Sequence, residues 1–232
     1  MGTTAKRRAR LGRTEVIAGA LALLDEVGLE ALTMRRLASS LGVQAGTLYW
    51  HFADKQDLQD AMAEEIASGV LVPELKGSWQ DQLAELSRRL LAALTRHRDG
   101  ARILVETIKP GPNLLSVSER FLRILRDAGF QKGPAMSAAG VASNFVVGFA
   151  VDLEALEAAK RRGGVMASFR SIKERIDPAE YPLIAEVDEK MVAKMIGARD
   201  IRARFDFGLQ VILRGLEHSI APRPARRRAR SK

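Results

Sequence analysis

The chain has 232 residues, of which 47% are hydrophobic, enough for one domain or for a small domain joined to a larger one. It contains no cysteine, which excludes disulfides and thiolate chemistry and fits a cytoplasmic protein. The net charge is +9, but eleven cationic residues lie in the basic segments Lys6 to Arg13 and Arg223 to Lys232, so the remainder carries −2. The N-terminus lacks the apolar stretch of a signal peptide, and we expect no apolar run as long as a membrane span.

The first predicted element is an amphipathic helix over Arg13 to Val27, where apolar residues recur at helical spacing until Gly28 ends the pattern. A second helix is predicted to end near Leu41. Thr33 can cap its N-terminus, and Gly42 can adopt the left-handed conformation that ends it.

A third, short helix is predicted to begin at Ala45, with Leu48 and Phe52 four residues apart on its buried side. Its other positions carry polar and aromatic side chains, namely Gln44, Thr47, Tyr49, Trp50 and His51. Large rings are costly to expose without a binding partner. Two short helices around a tight turn form a helix-turn-helix, which presents its second helix to a DNA major groove.

The rest of the chain is predicted to be helical. The helices are expected at residues 55–71, 79–96, 99–106, 113–128, 134–159, 183–196 and 200–219, with breaks at Pro73, Gly77, Pro110 to Pro112 and Gly129. Residues 160–182 are expected to form a mobile loop, either a lid over a partner's pocket or a linker. Because no segment has the alternation of a strand, the sequence predicts an all-α protein.

Two of these helices carry continuous apolar stripes. One stripe comprises Ala142, Phe145, Val146, Phe149 and Leu153, and the other comprises Phe205, Leu209, Ile212, Leu213 and Leu216. Each stripe could be buried against a second copy of the chain or within the chain's own core.

The basic ends are predicted to be disordered. The N-terminal arm could contact DNA phosphates or enter the minor groove, as homeodomain arms do. The alternative is that both ends add only non-specific, salt-sensitive affinity for DNA.

Other classes of function fit the sequence less well. The three histidines are far apart, and there is no HExxH motif, nucleophile elbow or phosphate-binding glycine loop, so we predict neither an enzyme nor a cofactor or metal site. A nucleoid-type architectural protein would not need a large helical body. A ligand carrier without a DNA function would leave Tyr49, Trp50 and His51 unexplained.

The first sixty residues resemble the head of the tetracycline-repressor (TetR) family of dimeric one-component regulators. The residues that carry this resemblance are Leu32 to Ala38, Leu41 to Val43, and Thr47 to Phe52 followed by Lys55. The segments Ser78 to Asp81, His97 to Ala101 and Gly208 to Glu217 resemble the ligand domain of the tetracycline repressors themselves. The similarity covers about residues 13 to 220 and is strongest in the head.

The resemblance implies a domain organisation and a function. Residues 1–12 would be a basic disordered arm, 13–58 the helix-turn-helix DNA-binding head, 59–220 a helical ligand-binding and dimerisation bundle, and 221–232 a basic disordered tail. The expected function is a cytoplasmic homodimeric repressor, with no membrane partner, released from a palindromic operator by a small, largely apolar effector. Activation or corepression remains an alternative. The helix over residues 55–71 would transmit the change by swinging and altering the separation of the two heads.

The implied DNA-binding residues are Thr33, Arg35, Gln44, Ala45, Gly46, Thr47, Tyr49, Trp50, His51 and Lys55. The amide of Gln44 pairs well with adenine, and Arg35 can reach a guanine or a phosphate. Thr47, Tyr49 and Lys55 suit phosphate contacts. Trp50 and His51 could face either the DNA backbone or the packing of the head. Because related repressors often carry larger or stiffer residues at positions 45 and 46, no known operator sequence can be transferred.

The implied ligand-binding residues are Leu71, Leu86, Leu90, Leu104, Thr107 and Asn144. At the four leucine positions, tetracycline repressors hold a magnesium–drug chelate with polar and imidazole side chains. Leucine cannot ligate a metal, so the sequence predicts a different inducer, bound through apolar contacts without a metal. Alternatively, the leucines fill a core that has no pocket. Thr107 follows the short helix that shifts on induction in this family, and Asn144 could bond a ligand or be a satisfied buried amide.

The implied dimerisation residues are Phe145, Phe149, Leu209, Leu213 and Leu216. In the family, the corresponding helices of two subunits pack as a four-helix bundle, which places two heads on one operator. These residues belong to the two apolar stripes described above.

Overall fold

The computed structural model describes residues 11–219, and within them it contains twelve helices and no strand, as the sequence predicts. The helices are α1 (Arg13–Val27), α2 (Met34–Ser40), α3 (Ala45–Tyr49), α4 (Lys55–Ser68), α5 (Trp79–Leu94), α6 (Gly100–Val105), α7 (Pro112–Asp127), α8 (Lys132–Arg161), α9 (Val165–Arg175), α10 (Pro182–Ala185), α11 (Glu189–Met195) and α12 (Ala198–His218). The predicted basic arm and tail lie outside the described residues, except for Leu11 and Gly12.

The helices form two compact units. The first comprises the described residues up to Leu71 together with Ala92–Ser116, and the second comprises Val72–Leu91 and the described residues from Val117 onward. Helix α4 begins before the domain boundary expected at residue 58 and lies wholly in the first unit, as does α6.

The core of the first unit is built from the apolar stripes of its short helices. Val16 and Leu24 of α1, Leu37 of α2 and Leu48 of α3 are all fully buried. Such burial is needed because helices of five and seven residues are too short to be stable in isolation. Phe52, which follows α3, completes this core.

The predicted boundaries of α1 and α2 are confirmed. Thr33 Oγ1 accepts a hydrogen bond from the Arg36 N–H at 3.2 Å and so caps α2. Gly28 and Gly42 have φ values of +79° and +64°, which side chains other than glycine rarely adopt.

The turn between α5 and α6 is tied to the end of α1 by side chains on both elements. The Leu29 N–H donates to Asp99 Oδ2 at 2.8 Å, and the Arg98 N–H donates to Asp25 Oδ1 at 2.8 Å. His97 Nδ1 lies 2.9 Å from Asp25 Oδ2, which gives His97 a structural role. Gly100 is required here because a Cβ atom would lie 2.4 Å from the carbonyl oxygen of Leu94.

In the second unit, α8 packs against α12 around three aromatic rings. The ring centroid of Phe205 lies 5.3 Å from that of Phe145 and 5.2 Å from that of Phe149. A Cβ atom at Gly208 would lie 2.6 Å from Phe145 Cζ, so glycine permits this close approach. A separate edge-to-face contact joins Trp79 to Phe130 at 5.9 Å.

The N-terminus of α5 carries a capping box. The Asp81 N–H donates to Ser78 Oγ at 3.2 Å, and the Ser78 N–H donates to Asp81 Oδ2 at 3.0 Å. The hydroxyl of Ser78, which also donates to Asp81 Oδ2, holds the pKa of Asp81 below its ordinary value.

Two expectations from the sequence are wrong in the segment after α8. Residues 160–182, expected to form a loop, contain α9, and the helix expected at 183–196 is divided into α10 and α11. Helix α9 does carry a helical pattern, since Met166, Phe169 and Ile172 lie three positions apart. Tertiary contacts support it, because Lys173 Nζ donates to the carbonyl oxygens of Ala185 and Val187. Asp188 caps α11 by accepting from the Met191 N–H at 2.7 Å.

The expectation about apolar length is also wrong for α8. This helix has 30 residues and is long and apolar enough to cross a membrane, judged by length and composition alone. Only 22% of its most apolar window is buried within the chain. Much of α8 is therefore open to a partner.

Candidate nucleic-acid interface and response elements

The outward side of α3 exposes the aromatic residues that the sequence singles out. Trp50 is 89% exposed and Tyr49 is 54% exposed, while Leu48, on the inward side of α3, is fully buried. Trp50 therefore takes no part in the packing of the head, which decides one of the alternatives left open by the sequence. His51 is half-buried, and its ring centroid lies 6.4 Å from that of Phe52.

The N-terminal end of α3 is open to solvent. Gln44 and Gly46 are exposed, and Ala45 and Thr47 are half-buried. A Cβ atom at Gly46 would meet no heavy atom within 4 Å. Packing therefore does not require glycine at this position, and its small size leaves room for a close approach to the start of the helix.

Three further candidate residues border this surface of the head. Arg35 is exposed near the start of α2, and the hydroxyl of Thr33 is engaged in capping that helix. Lys55 is half-buried, and its Nζ donates to the carbonyl oxygen of Leu29 at 3.1 Å. An ammonium group has three N–H donors, so this bond orients Lys55 and leaves donors for a second acceptor.

A set of α4 side chains that the sequence analysis missed holds the chain between α6 and α7. Glu64 accepts hydrogen bonds from the N–H groups of Gly111 at 3.0 Å, Asn113 at 2.7 Å and Leu114 at 2.9 Å. Asn113 Nδ2 in turn donates to the Glu64 carbonyl oxygen at 3.0 Å. The carboxylate thus satisfies N–H groups at the start of α7 that have no partner within that helix.

Asp60, one turn earlier on α4, likewise accepts hydrogen bonds from backbone N–H groups, here in the segment between α6 and α7. It is 6% exposed and accepts from the N–H groups of Ile108 at 3.1 Å and Lys109 at 3.3 Å. Gln56 Nε2 donates to Asp60 Oδ1 and to the carbonyl oxygen of Glu106, both at 3.0 Å. Gln59 Nε2 donates to Glu106 Oε2 at 3.3 Å. We call Gln56, Gln59, Asp60 and Glu64 the α4 clamp.

The sequence offered one signal for the α4 clamp. The Pro110 to Pro112 break marks the start of a helix whose first N–H groups need acceptors. The acceptors lie some 50 residues away, on a helix where acidic residues usually indicate a solvated face.

The dimerisation set needs correction at two positions. Leu209 and Leu213 are buried within their own chain, so they cannot also contact a partner, while Phe145, Phe149 and Leu216 are half-buried. The large apolar side chains that α8 and α12 leave exposed include Val141, Phe207 and Val211. Three residues of the stripe predicted on α12, Phe205, Leu209 and Leu213, are buried within the chain, and Phe205 packs on Phe145 and Phe149 of α8.

The two parts of the chain match the two parts of one protein family. Residues 16–62 match the family described as bacterial regulatory proteins, tetR family. Residues 72–220 match the family described as tetracyclin repressor-like, C-terminal domain. The tetracycline repressor protein class C of Escherichia coli is 36% identical over 212 residues, which cover 90% of this chain and 91% of that protein. The chain belongs to the TetR family. Its homologues are transcriptional regulators, not enzymes, and it is a ligand-responsive DNA-binding repressor.

Solved structures of TetR-family proteins have the same fold. A possible TetR family transcriptional regulator from Streptomyces coelicolor A3(2) is 39% identical and has a TM-score of 0.77, covering 90% of this chain and all of that one. The TetR family protein ActR of S. coelicolor, in complex with actinorhodin, is 28% identical with a TM-score of 0.75, covering 92% of this chain and 98% of that one. TetR-family proteins are soluble DNA-binding dimers, so the exposed side of α8 is suited to a protein partner.

The ligand-binding positions inferred from the family resemblance lie in different environments. Leu86 and Leu90 of α5 are buried, which matches the core alternative, whereas Leu71 and Leu104 are half-buried and retain accessible surface. Thr107 is half-buried, and its hydroxyl donates to the carbonyl oxygen of Ile103 at 2.9 Å. Asn144 is exposed on α8, so it is not a buried amide.

Proposed function

We propose that the chain is a cytoplasmic, homodimeric repressor that a small, largely apolar effector releases from a palindromic operator. The observation that carries this proposal is the outward side of α3. An 89% exposed tryptophan beside an exposed tyrosine and an exposed glutamine, on a head whose own core is closed, needs a partner with both polar and flat surfaces. Double-stranded DNA has such a surface.

The roles of the DNA-binding residues follow from the geometry of a recognition helix. Gln44 and Gly46 lie at the N-terminal end of α3, the end that contacts base edges in a helix-turn-helix. Gln44 supplies the amide that reads a base, and Gly46 allows the close approach. Tyr49, Trp50 and Lys55 lie further along and contact the phosphate backbone, with His51, Thr47 and Arg35 at the margins.

The homodimer is supported by the shapes of two exposed helix faces. On α8 the outward strip combines the apolar Val141 with the polar Asn144 and the small Gly148 at helical spacing, and on α12 it is bulky, with Phe207 and Val211. A two-fold axis brings the strip of one protomer against that of its partner, so large side chains can fill the space above small ones. We therefore assign Asn144 to this face.

The response to the effector is supported by the α4 clamp. The helix that carries the clamp begins three residues after Phe52, so a rotation of α4 moves the DNA-binding head. Two heads fit successive major grooves only at a separation of about 34–36 Å. An effector that favours a different position of the loop over residues 106–114 shifts the protein away from that separation by its differential affinity for the two states.

The effector class is inferred from the four leucine positions. Hydrocarbon at Leu71, Leu86, Leu90 and Leu104 cannot hold a metal chelate, so the effector binds through apolar contacts with few hydrogen bonds. The related ActR structure contains actinorhodin, which shows that the family architecture accepts ligands other than tetracyclines. Tight binding of magnesium–tetracycline, measured by fluorescence titration, would refute this part of the proposal.

The DNA-binding proposal is tested by selecting bound duplexes from a random pool at about 150 mM salt, an ionic strength at which purely electrostatic binding is weakened. The native protein and Gln44→Ala are selected in parallel. We expect a palindrome with half-sites about one helical turn apart, with the preference altered at one symmetric base position in the variant. Enrichment of no sequence, with binding that disappears as salt rises, would contradict the proposal.

A further inference from the structure

Arg13, the first residue of α1, lies against the ring of Phe52, just beyond the C-terminal end of α3. Its Cζ atom lies 4.5 Å from the centroid of the Phe52 ring, within the range of a cation–π contact. Phe52 is itself fixed, because it is 1% exposed and its N–H donates to the carbonyl oxygen of Leu48 at 3.0 Å. The guanidinium therefore has a defined place although the side chain is exposed.

The charge of Arg13 is not neutralised within the described residues. None of the ion pairs formed among residues 11–219 includes Arg13. The acidic residue two positions further along α1, Glu15, is turned towards the start of the helix, where its Oε2 accepts from the Gly12 N–H at 2.7 Å. A fixed positive charge without a carboxylate partner is suited to an external anion.

The position of Arg13 indicates which kind of anion it can bind. Base edges are read from the N-terminal end of a recognition helix, here Gln44. Phe52 lies beyond the C-terminal end of α3, next to the 89% exposed Trp50, where the wall of the groove is the sugar-phosphate backbone. A guanidinium held over a ring still has its N–H donors in its own plane, in the fork geometry that matches two oxygens of a phosphate.

We propose that Arg13 binds a backbone phosphate of the operator and that the Phe52 ring positions it for that contact. This inference rests on the proposed DNA-binding function. It adds to the head a residue from α1, outside the helix-turn-helix. Because the contact is to phosphate, it contributes affinity and register without sequence preference.

The test is the salt dependence of binding to the operator duplex that the unaltered protein selects. Arg13→Gln removes the charge and keeps most of the side chain, and Arg13→Lys keeps the charge but loses the planar guanidinium. Each phosphate contact contributes about 0.9 to the slope of log K against log salt, so two protomers with Arg13→Gln should lower the slope by about 1.8. Affinity at about 150 mM salt should fall roughly tenfold.

The two companion variants make the result specific. Arg13→Lys should retain the native slope and lose only about threefold in affinity, since an ammonium still pairs with phosphate but is less well oriented. Arg123→Ala, which removes one exposed positive charge from α7, should change neither quantity. Thermal unfolding of each variant checks that the head is intact.

Three outcomes decide whether Arg13 binds a backbone phosphate. A reduced slope with the selected sequence unchanged in Arg13→Gln supports the phosphate contact. A native slope in a folded Arg13→Gln protein overturns it, and so does a changed base preference, which would assign Arg13 to a base. If the unaltered protein selects no sequence, the proposed function itself fails, and the Arg13 contact fails with it.

Discussion

Two surfaces of this chain expose large side chains, and their chemistry differs. The outward side of α3 exposes Tyr49 and Trp50, whose rings carry an O–H or N–H, beside the polar Gln44. The outward side of α8 and α12 exposes Val141, Phe207 and Val211, which are hydrocarbon only. The first surface suits a partner that is polar, charged and flat, and the second suits another apolar protein surface. The type of exposed side chain thus distinguishes a DNA face from a dimer face more clearly than the amount of exposure.

Phe207→Arg tests the dimer face and should have the largest effect. Phe207 is 73% exposed in the single chain, so the variant should fold, but two arginines buried in a symmetric interface cost about 2–5 kcal/mol or more. We expect dissociation to monomers and a loss of operator affinity of more than about 100-fold, because two heads no longer bind together. Sedimentation and a DNA-binding titration measure the two effects.

The matched control is Leu115→Arg, which places the same charge at an exposed apolar position on α7. A dimeric Phe207→Arg protein, or a monomeric Leu115→Arg protein, would place the interface elsewhere.

Glu64→Ala tests whether the α4 clamp holds the chain between α6 and α7. The change removes the acceptor of three N–H groups near the start of α7. Because these groups are partly accessible to water, we expect a loss of about 2 kcal/mol in the free energy of unfolding. Thermal denaturation measures it.

Glu65→Ala is the matched control for Glu64→Ala. Glu65 is the next residue of α4 and is exposed, so its removal should change stability by less than about 0.5 kcal/mol. Equal effects of the two variants would show that the α4 clamp does not hold the loop.

Trp50→Ala tests the DNA face and should have the smallest effect of the three on free energy. Truncation should reduce operator affinity by about 1 kcal/mol, or about fivefold, and leave the melting temperature unchanged because Trp50 is exposed. Trp79→Ala should lower the melting temperature and leave operator affinity unchanged, since Trp79 packs on Phe130. A lower melting temperature in Trp50→Ala would indicate that this ring supports the head.

Much of the head could be predicted from sequence because its signals are local. The observed bounds of α1 are those predicted, and the Thr33 cap and the positive φ of Gly42 follow from residue types within three or four positions of one another. The sequence prediction is wrong for α9, where the arginines and glycines at 161–164 outweighed the helical spacing of Met166, Phe169 and Ile172.

The sequence by itself determined that the chain is helical, where its helices begin and end in the head, and which side of α3 faces outward. These properties depend on neighbours along the chain. Only the tertiary structure decided that Leu209 and Leu213 are buried while Phe207 and Val211 remain exposed, because an apolar stripe does not specify what covers it. Only the tertiary structure revealed the Glu64 contacts, since a carboxylate and N–H groups 47 to 50 residues apart meet through folding alone.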